Sequence, residues 1–185
     1  MQLPNVITLA RVVVGLGSFA FLEFAGGAHV DTTRMWIAFW LFMVAACTDF
    51  LDGWLARRWK QVTPLGRVLD PFADKVLTCG AMIMLLEFDA ARAILSDWMV
   101  MIIVSREFLV TAVRGAMEAA GHPFPADKLG KWKMIMQCAS CAGIMTVVAG
   151  ARIWYEAAIA ATWLGFVLTV VSGFNYCWRA RVMLR

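Results

Sequence analysis

The sequence predicts an all-α integral membrane domain of six transmembrane helices. Three observations predict it. The 185 residues are 62% hydrophobic and only 16% charged. The apolar residues fall into six runs of roughly 20 residues, the length a bilayer demands of a helix. The basic residues gather in every second connection. So apolar a composition excludes a sizeable water-soluble domain, and sparse charge with high hydropathy excludes disorder. Residues 1–185 read as one membrane-embedded domain.

The runs place helices at 6–27, 34–58, 68–87, 93–119, 129–150 and 153–180. The first follows Pro4 and stops at Gly26-Gly27; no Lys or Arg precedes its apolar stretch, which argues against a cleaved signal. The second ends in Arg57-Arg58, and the third begins past Arg67 and closes at Glu87. The fourth starts after Arg92, the fifth spans Leu129 to Gly150, and the sixth lies between Arg152 and Arg181. Trp36, Trp98 and Trp154 sit near one set of ends, and Trp54, Trp59, Trp132 and Trp178 near the other, as interfacial belts do.

Charge sets the orientation. Arg57, Arg58, Lys60, Arg67, Arg114, Lys128, Lys131, Lys133, Arg179, Arg181 and Arg185 fall on one side, and only Arg34, Arg92 and Arg152 on the other. Positive connections stay in the cytoplasm, so both termini are expected there. The net charge of +4 (17 basic minus 13 acidic) therefore suits a membrane surface and gives no reason to expect nucleic acid. The five cysteines lie inside apolar runs and read as small buried hydrophobes; Cys138 and Cys141 form a CxxC without a second pair or a nearby His to complete a metal site.

Four carboxylates interrupt the spans. An Asp at a helix centre costs about 2.5–3.5 kcal/mol on insertion scales, so each needs a reason. Asp49 and Asp52 are spaced i,i+3, and Asp70 and Asp74 i,i+4, so each pair shares a helix face. At 1.5 Å per residue, Asp52 lies roughly 9 Å before the end of helix 2, and Asp70 and Asp74 roughly 4–10 Å into helix 3. A short connector makes these helices neighbours, so the four acids are expected at one depth near the cytoplasmic edge. They cannot all ionise side by side without a cation. All-oxygen ligands suit a pair of Mg²⁺ or Mn²⁺ ions, the kind of pair that phosphoryl chemistry uses. A structural ion network, or proton-carrying acids of a transporter, are the other readings of the same residues. Gly53 and Ala56 leave the helix surface after Asp52 bare enough for a flat ligand, and Arg57 can fork to a phosphate oxygen.

The full string, Asp49-xx-Asp52-Gly53-xx-Ala56-Arg57-x8-Gly66-xxx-Asp70-xxx-Asp74, resembles the signature of the CDP-alcohol phosphatidyltransferases. The resemblance extends to Asn5-Val6-Ile7-Thr8-Leu9-Ala10-Arg11, Leu69 to Lys75, Ser105-Arg106-Glu107-Phe108 with Arg114, Gly130-Lys131-Trp132-Lys133 with Gln137, and Ser172-Gly173, essentially the whole chain. Within the family it is most like the members that move a phosphatidyl group from CDP-diacylglycerol to sn-glycerol 3-phosphate, releasing CMP. The resemblance implies that Asp49, Asp52, Asp70 and Asp74 bind two divalent cations, that Asp52, Gly53, Ala56, Arg57 and Gly66 bind CDP, and that Asp74 is also the general base. It implies a homodimer as well.

For the acceptor, a small dianion, basic residues in or near spans are the candidates: Arg106 with Glu107, and Arg114, on helix 4, and Lys131 and Lys133 where helix 5 begins. The two lysines hold the acceptor phosphate or anchor the span at headgroups. Asn5, Thr8 and Arg11 recur every three residues and line the same cavity, unless Asn5 merely caps its helix. Met134, where family members often carry Thr, and Asp127, beside the basic cluster, depart from the pattern on the acceptor side.

Overall fold

An apolar chain in lipid must satisfy its backbone within each segment, which favours helices, and every regular element among the described residues is a helix, joined by short turns. The computed structural model describes the backbone of residues 3–27, 29–59, 64–121 and 128–183, and the side chains of 8–27, 29–48, 71–121, 129–179 and 181. Six long helices carry it: α1 (Leu3–Ala25), α2 (Thr32–Trp59), α3 (Pro64–Leu85), α5 (Asp97–Ala119), α6 (Lys128–Val148) and α7 (Tyr155–Met183). A single-turn helix, α4 (Asp89–Arg92), joins α3 to α5, and a 3₁₀ turn (Arg152–Trp154) leads into α7.

Several ends differ from the sequence expectation for local reasons. Helix α2 begins at Thr32 because Asp31 caps it: Thr33 N and Arg34 N donate to Asp31 Oδ1 at 3.0 and 3.1 Å. Helix α3 begins at Pro64, whose missing N–H costs nothing in a first turn. Pro71 inside it removes the bond to the carbonyl four residues back, and the helix continues through it. The connection before the fourth long helix holds the short α4; residues 93–96, expected to open that helix, form a turn instead, and α5 starts at Asp97, an acid in the first turn where the helix dipole favours it. Gly121 and Gly150, at φ +78° and +95°, take the left-handed conformation just past α5 and α6.

Among the described residues, two helices carry stretches long and apolar enough to cross a membrane, Thr8–Ala25 and Arg152–Arg179. A shorter apolar run, Thr32–Thr48, opens α2. Charge breaks the other expected spans: Asp49, Asp52, Arg57 and Arg58 in α2, Arg67, Asp70, Asp74 and Lys75 in α3, Arg106, Glu107 and Arg114 in α5, and three lysines at the start of α6.

Helix α1 packs against both α2 and α3, and α6 packs against α2, α3, α4 and α7, while α5 rests on α7 and α3. Helices α2 and α3 also touch each other directly. Burial separates the bundle into two ends. Leu22 of α1, Met35 and Phe42 of α2, Met82 and Leu85 of α3, Met99 and Ile103 of α5 and Ile144 and Met145 of α6 form one apolar core. The buried charged side chains lie at the other end, Arg11 of α1, Glu107 of α5 and Lys133 of α6, with Thr8, Gln137, Thr169 and Ser172, while Ser18, Thr78, Ser140, Thr146 and Thr162 are buried hydroxyls of the same helices and α7 nearer the apolar core. Of the cysteines, Cys79 and Cys141 are buried as expected, whereas Cys47 is exposed.

Candidate active site

Asp74 lies in the first half of α3, one turn before Thr78, whose hydroxyl donates back to the Asp74 carbonyl at 2.9 Å. Arg11 Nη1 of α1 donates to Asp74 Oδ1 at 2.6 Å, with the arginine side chain 2% exposed and the carboxylate 25% exposed. Arg11, expected on the acceptor side, thus reaches the carboxylate expected to hold metal. Burial of the guanidinium demands a counter-charge, and Asp74 supplies it. Thr8, one turn earlier, is also buried.

Lys75 follows Asp74 on the helix, about 100° around its axis, and so faces α5, where its Nζ donates to Thr111 Oγ1. The Thr111 hydroxyl donates to the Glu107 carbonyl at 2.7 Å. Glu107 Oε1 accepts from two cations at once, Arg106 Nη1 at 3.0 Å and Lys133 Nζ from α6. All three side chains are about nine-tenths buried, at 10%, 8% and 8% exposure for Arg106, Glu107 and Lys133. Arg106 Nη2 donates to Ser172 Oγ of α7 at 2.8 Å. Beneath this layer the α6–α7 seam continues with Gln137 Nε2 on Thr169 Oγ1 at 3.0 Å and Ser140 bonded to Thr162 at 2.6 Å.

The electrostatics are lopsided. Arg106 and Lys133 share one carboxylate, and Lys75 adds a third positive charge nearby. Buried charge is tolerated when balanced, and among the described side chains this cluster carries more positive charge than negative. A dianion with several oxygens would satisfy the surplus and accept from guanidinium and ammonium donors alike.

The structure thus brings Arg106, Glu107 and Lys133 together from two helices, and joins Arg11 to Asp74. It leaves Arg114 apart: its Nε pairs with Glu118 Oε1 one turn on, at 3.1 Å, with both side chains about half exposed. Lys131 is exposed on another face of α6 than Lys133. Asn5, Asp49, Asp52, Gly53, Ala56, Arg57, Gly66 and Asp70 lie outside the described side chains, although all eight fall within the helical spans of α1, α2 and α3. At Asp74, the one acid of the quartet described here, a partly exposed carboxylate held by a buried arginine is an oxygen donor of the kind Mg²⁺ or Mn²⁺ takes.

Lys75, Thr111 and Ser172 were not singled out by sequence reasoning as site residues. A signal was present: Lys133, Gln137 and Ser140 repeat at four and three on α6, and Thr162, Thr169 and Ser172 at seven and three on α7. Polar stripes of that period within apolar helices mark faces turned toward each other.

Comparison with known proteins places residues 1–171 within the description "CDP-alcohol phosphatidyltransferase". Relatives named CDP-diacylglycerol–glycerol-3-phosphate 3-phosphatidyltransferase include one from Bacillus subtilis, 35% identical over 183 residues, covering 95% of this chain and 93% of its own. Another, from Rickettsia bellii, is 30% identical over 177 residues, with 95% and 93% covered. A protein of Mycobacterium tuberculosis named probable phosphatidylglycerophosphate synthase is 33% identical over 182 residues, covering 97% of this chain and 81% of its own.

Proposed function

The chain belongs to the CDP-alcohol phosphatidyltransferase family, and from that premise we propose that it transfers the phosphatidyl group of CDP-diacylglycerol to sn-glycerol 3-phosphate, giving phosphatidylglycerophosphate and CMP. The observation that carries the acceptor half is the buried cation surplus around Glu107, where Arg106 and Lys133 share one carboxylate oxygen. Glycerol 3-phosphate brings the charge this layer lacks. Its phosphate would take Lys75, Arg106 and Lys133 as donors, with Glu107 keeping the two longer cations apart and aimed. Asn5, Thr8, Arg11, Arg114 and Lys131 complete the acceptor side in this reading.

The donor half falls to residues of α2 and the first turns of α3. Asp52, Gly53, Ala56, Arg57 and Gly66 would hold the CDP moiety, and Asp49, Asp52, Asp70 and Asp74 would hold two divalent cations. Bound there, the cations supply electrostatic stabilisation to the charge developing on the diphosphate. The acceptor's 1-hydroxyl attacks the β-phosphorus as its proton passes to the Asp74 carboxylate. The new P–O bond forms while the bond from that phosphorus to the bridging oxygen breaks, and CMP leaves with that oxygen. Arg11, buried and bonded to Oδ1, fixes the Asp74 carboxylate for this role. Lys75, the next residue, links the base to the acceptor layer through Thr111. Rate enhancement here is mostly positioning and electrostatics.

The same reading makes the chain a six-span, homodimeric membrane enzyme with both termini and the catalytic cavity on the cytoplasmic side. There the lipid donor arrives laterally and the acceptor comes from water. Purified protein given CDP-diacylglycerol and, in turn, glycerol 3-phosphate, inositol phosphate, phosphatidylglycerol and serine should release CMP with glycerol 3-phosphate. Release with another alcohol and none with glycerol 3-phosphate would refute the assignment.

A further inference from the structure

We propose that Ser172 and Gly173 of α7 form a slot that sets the pose of Arg106 and thereby the affinity for the acceptor phosphate; this rests on the reading of Arg106 as a phosphate ligand. Three observations carry it. First, Ser172 Oγ accepts from Arg106 Nη2 at 2.8 Å while its own proton is directed to the Leu168 carbonyl at 2.6 Å. Spending the hydroxyl proton on the backbone turns an oxygen lone pair toward the guanidinium. Second, Arg106 lies against the bare backbone of Gly173: a Cβ there would stand 2.8 Å from Arg106 Cγ and 3.1 Å from Nε. Cγ is the middle of the side chain, so no swing of its tip relieves that contact. Third, Arg106 Nε is buried with no hydrogen-bond partner. Left to itself an arginine would turn to satisfy that donor. It is held instead by Glu107 on Nη1, Ser172 on Nη2 and the glycine surface along its stem.

Ser172 and Gly173 are thus positioning residues, acting on substrate through Arg106. Gly173→Ala leaves every charge in place and moves only the stem. Losing or misaligning one charge-assisted hydrogen bond to phosphate is worth roughly a ten-fold change in affinity.

The test is steady-state CMP release by the full chain in lipid nanodiscs for wild type, Gly173→Ala, Arg106→Ala and the double variant. Gly173→Ala should raise the KM for glycerol 3-phosphate roughly ten-fold and leave the KM for CDP-diacylglycerol unchanged. In the Arg106→Ala background, which has no stem to displace, it should add nothing. An equal rise in both backgrounds, or a wild-type KM in Gly173→Ala beside a raised one in Arg106→Ala, would overturn the slot. An unchanged acceptor KM in Arg106→Ala would instead overturn the acceptor role of Arg106 itself. Should Gly173→Ala not fold, Ser172→Ala replaces it: a raised acceptor KM that vanishes in the Arg106→Ala background supports the slot, and an equal rise in both overturns it.

Discussion

Replacing Glu107 by Gln isolates the charge balance on which the acceptor layer depends. The side chain keeps its shape but loses its charge, and Oε1 is the shared acceptor for Arg106 and Lys133, each about nine-tenths buried. Removing one member of a buried ionic group leaves uncompensated charge and costs about 3–5 kcal/mol, and here two cations are left. In a chain of this size each kcal/mol moves Tm by about 2–4 °C, so a fall of roughly 6–20 °C is expected on heating in detergent, followed by loss of the monodisperse peak on gel filtration. Glycerol 3-phosphate or inorganic phosphate at high concentration should return part of that loss, because an anion seated between Arg106 and Lys133 replaces the missing carboxylate. The recovery follows the ordinary linkage of ligand to folded state, about 2.7 kcal/mol at one hundred times Kd. A Glu107→Gln protein melting within about 2 °C of wild type, a shift worth no more than ~1 kcal/mol, would refute the charge argument. A large fall that phosphate leaves untouched would refute the anion site while sparing the ion network.

Two further outcomes are expected. Chelation by EDTA should abolish CMP release and added Mg²⁺ or Mn²⁺ should restore it, while Asp49→Ala and Asp70→Ala should be inactive with either metal; a wild-type rate under chelation would end the two-metal reading. Gly80→Ala should destabilise the α1–α3 contact by about 1–3 kcal/mol, since its Cβ would stand 2.6 Å from Phe19 Cζ, and Phe19→Leu in the same chain should recover much of the Tm loss; an unshifted Tm in Gly80→Ala would refute this packing.

Much of the fold was legible in order along the chain. Apolar runs bounded by Gly, Pro and charge place the long helices within a few residues, because helix length and termination are local properties. The exceptions were local too: a capping Asp31 and Pro64 at a first turn pull two helix starts upstream. The stretch after Glu87 forms its own short turn before α5. The acidic motif and its implied chemistry were likewise readable, since fixed spacing on a helix is fixed direction.

Partnership was not legible. Spacing puts Arg11 in line with Thr8, yet packing of α1 on α3 turns it onto Asp74. Arg106, Glu107 and Arg114 belong to one helix, but tertiary contact seats the first two in a buried ion cluster and leaves the third half exposed beside Glu118. Lys75, Ser172 and Gly173 gained roles because α5 meets α3 and α7 at that depth. A sequence fixes which residues can share one helix face. Which faces meet, and so which charges are buried against which, depends on how six helices divide a limited apolar surface among themselves.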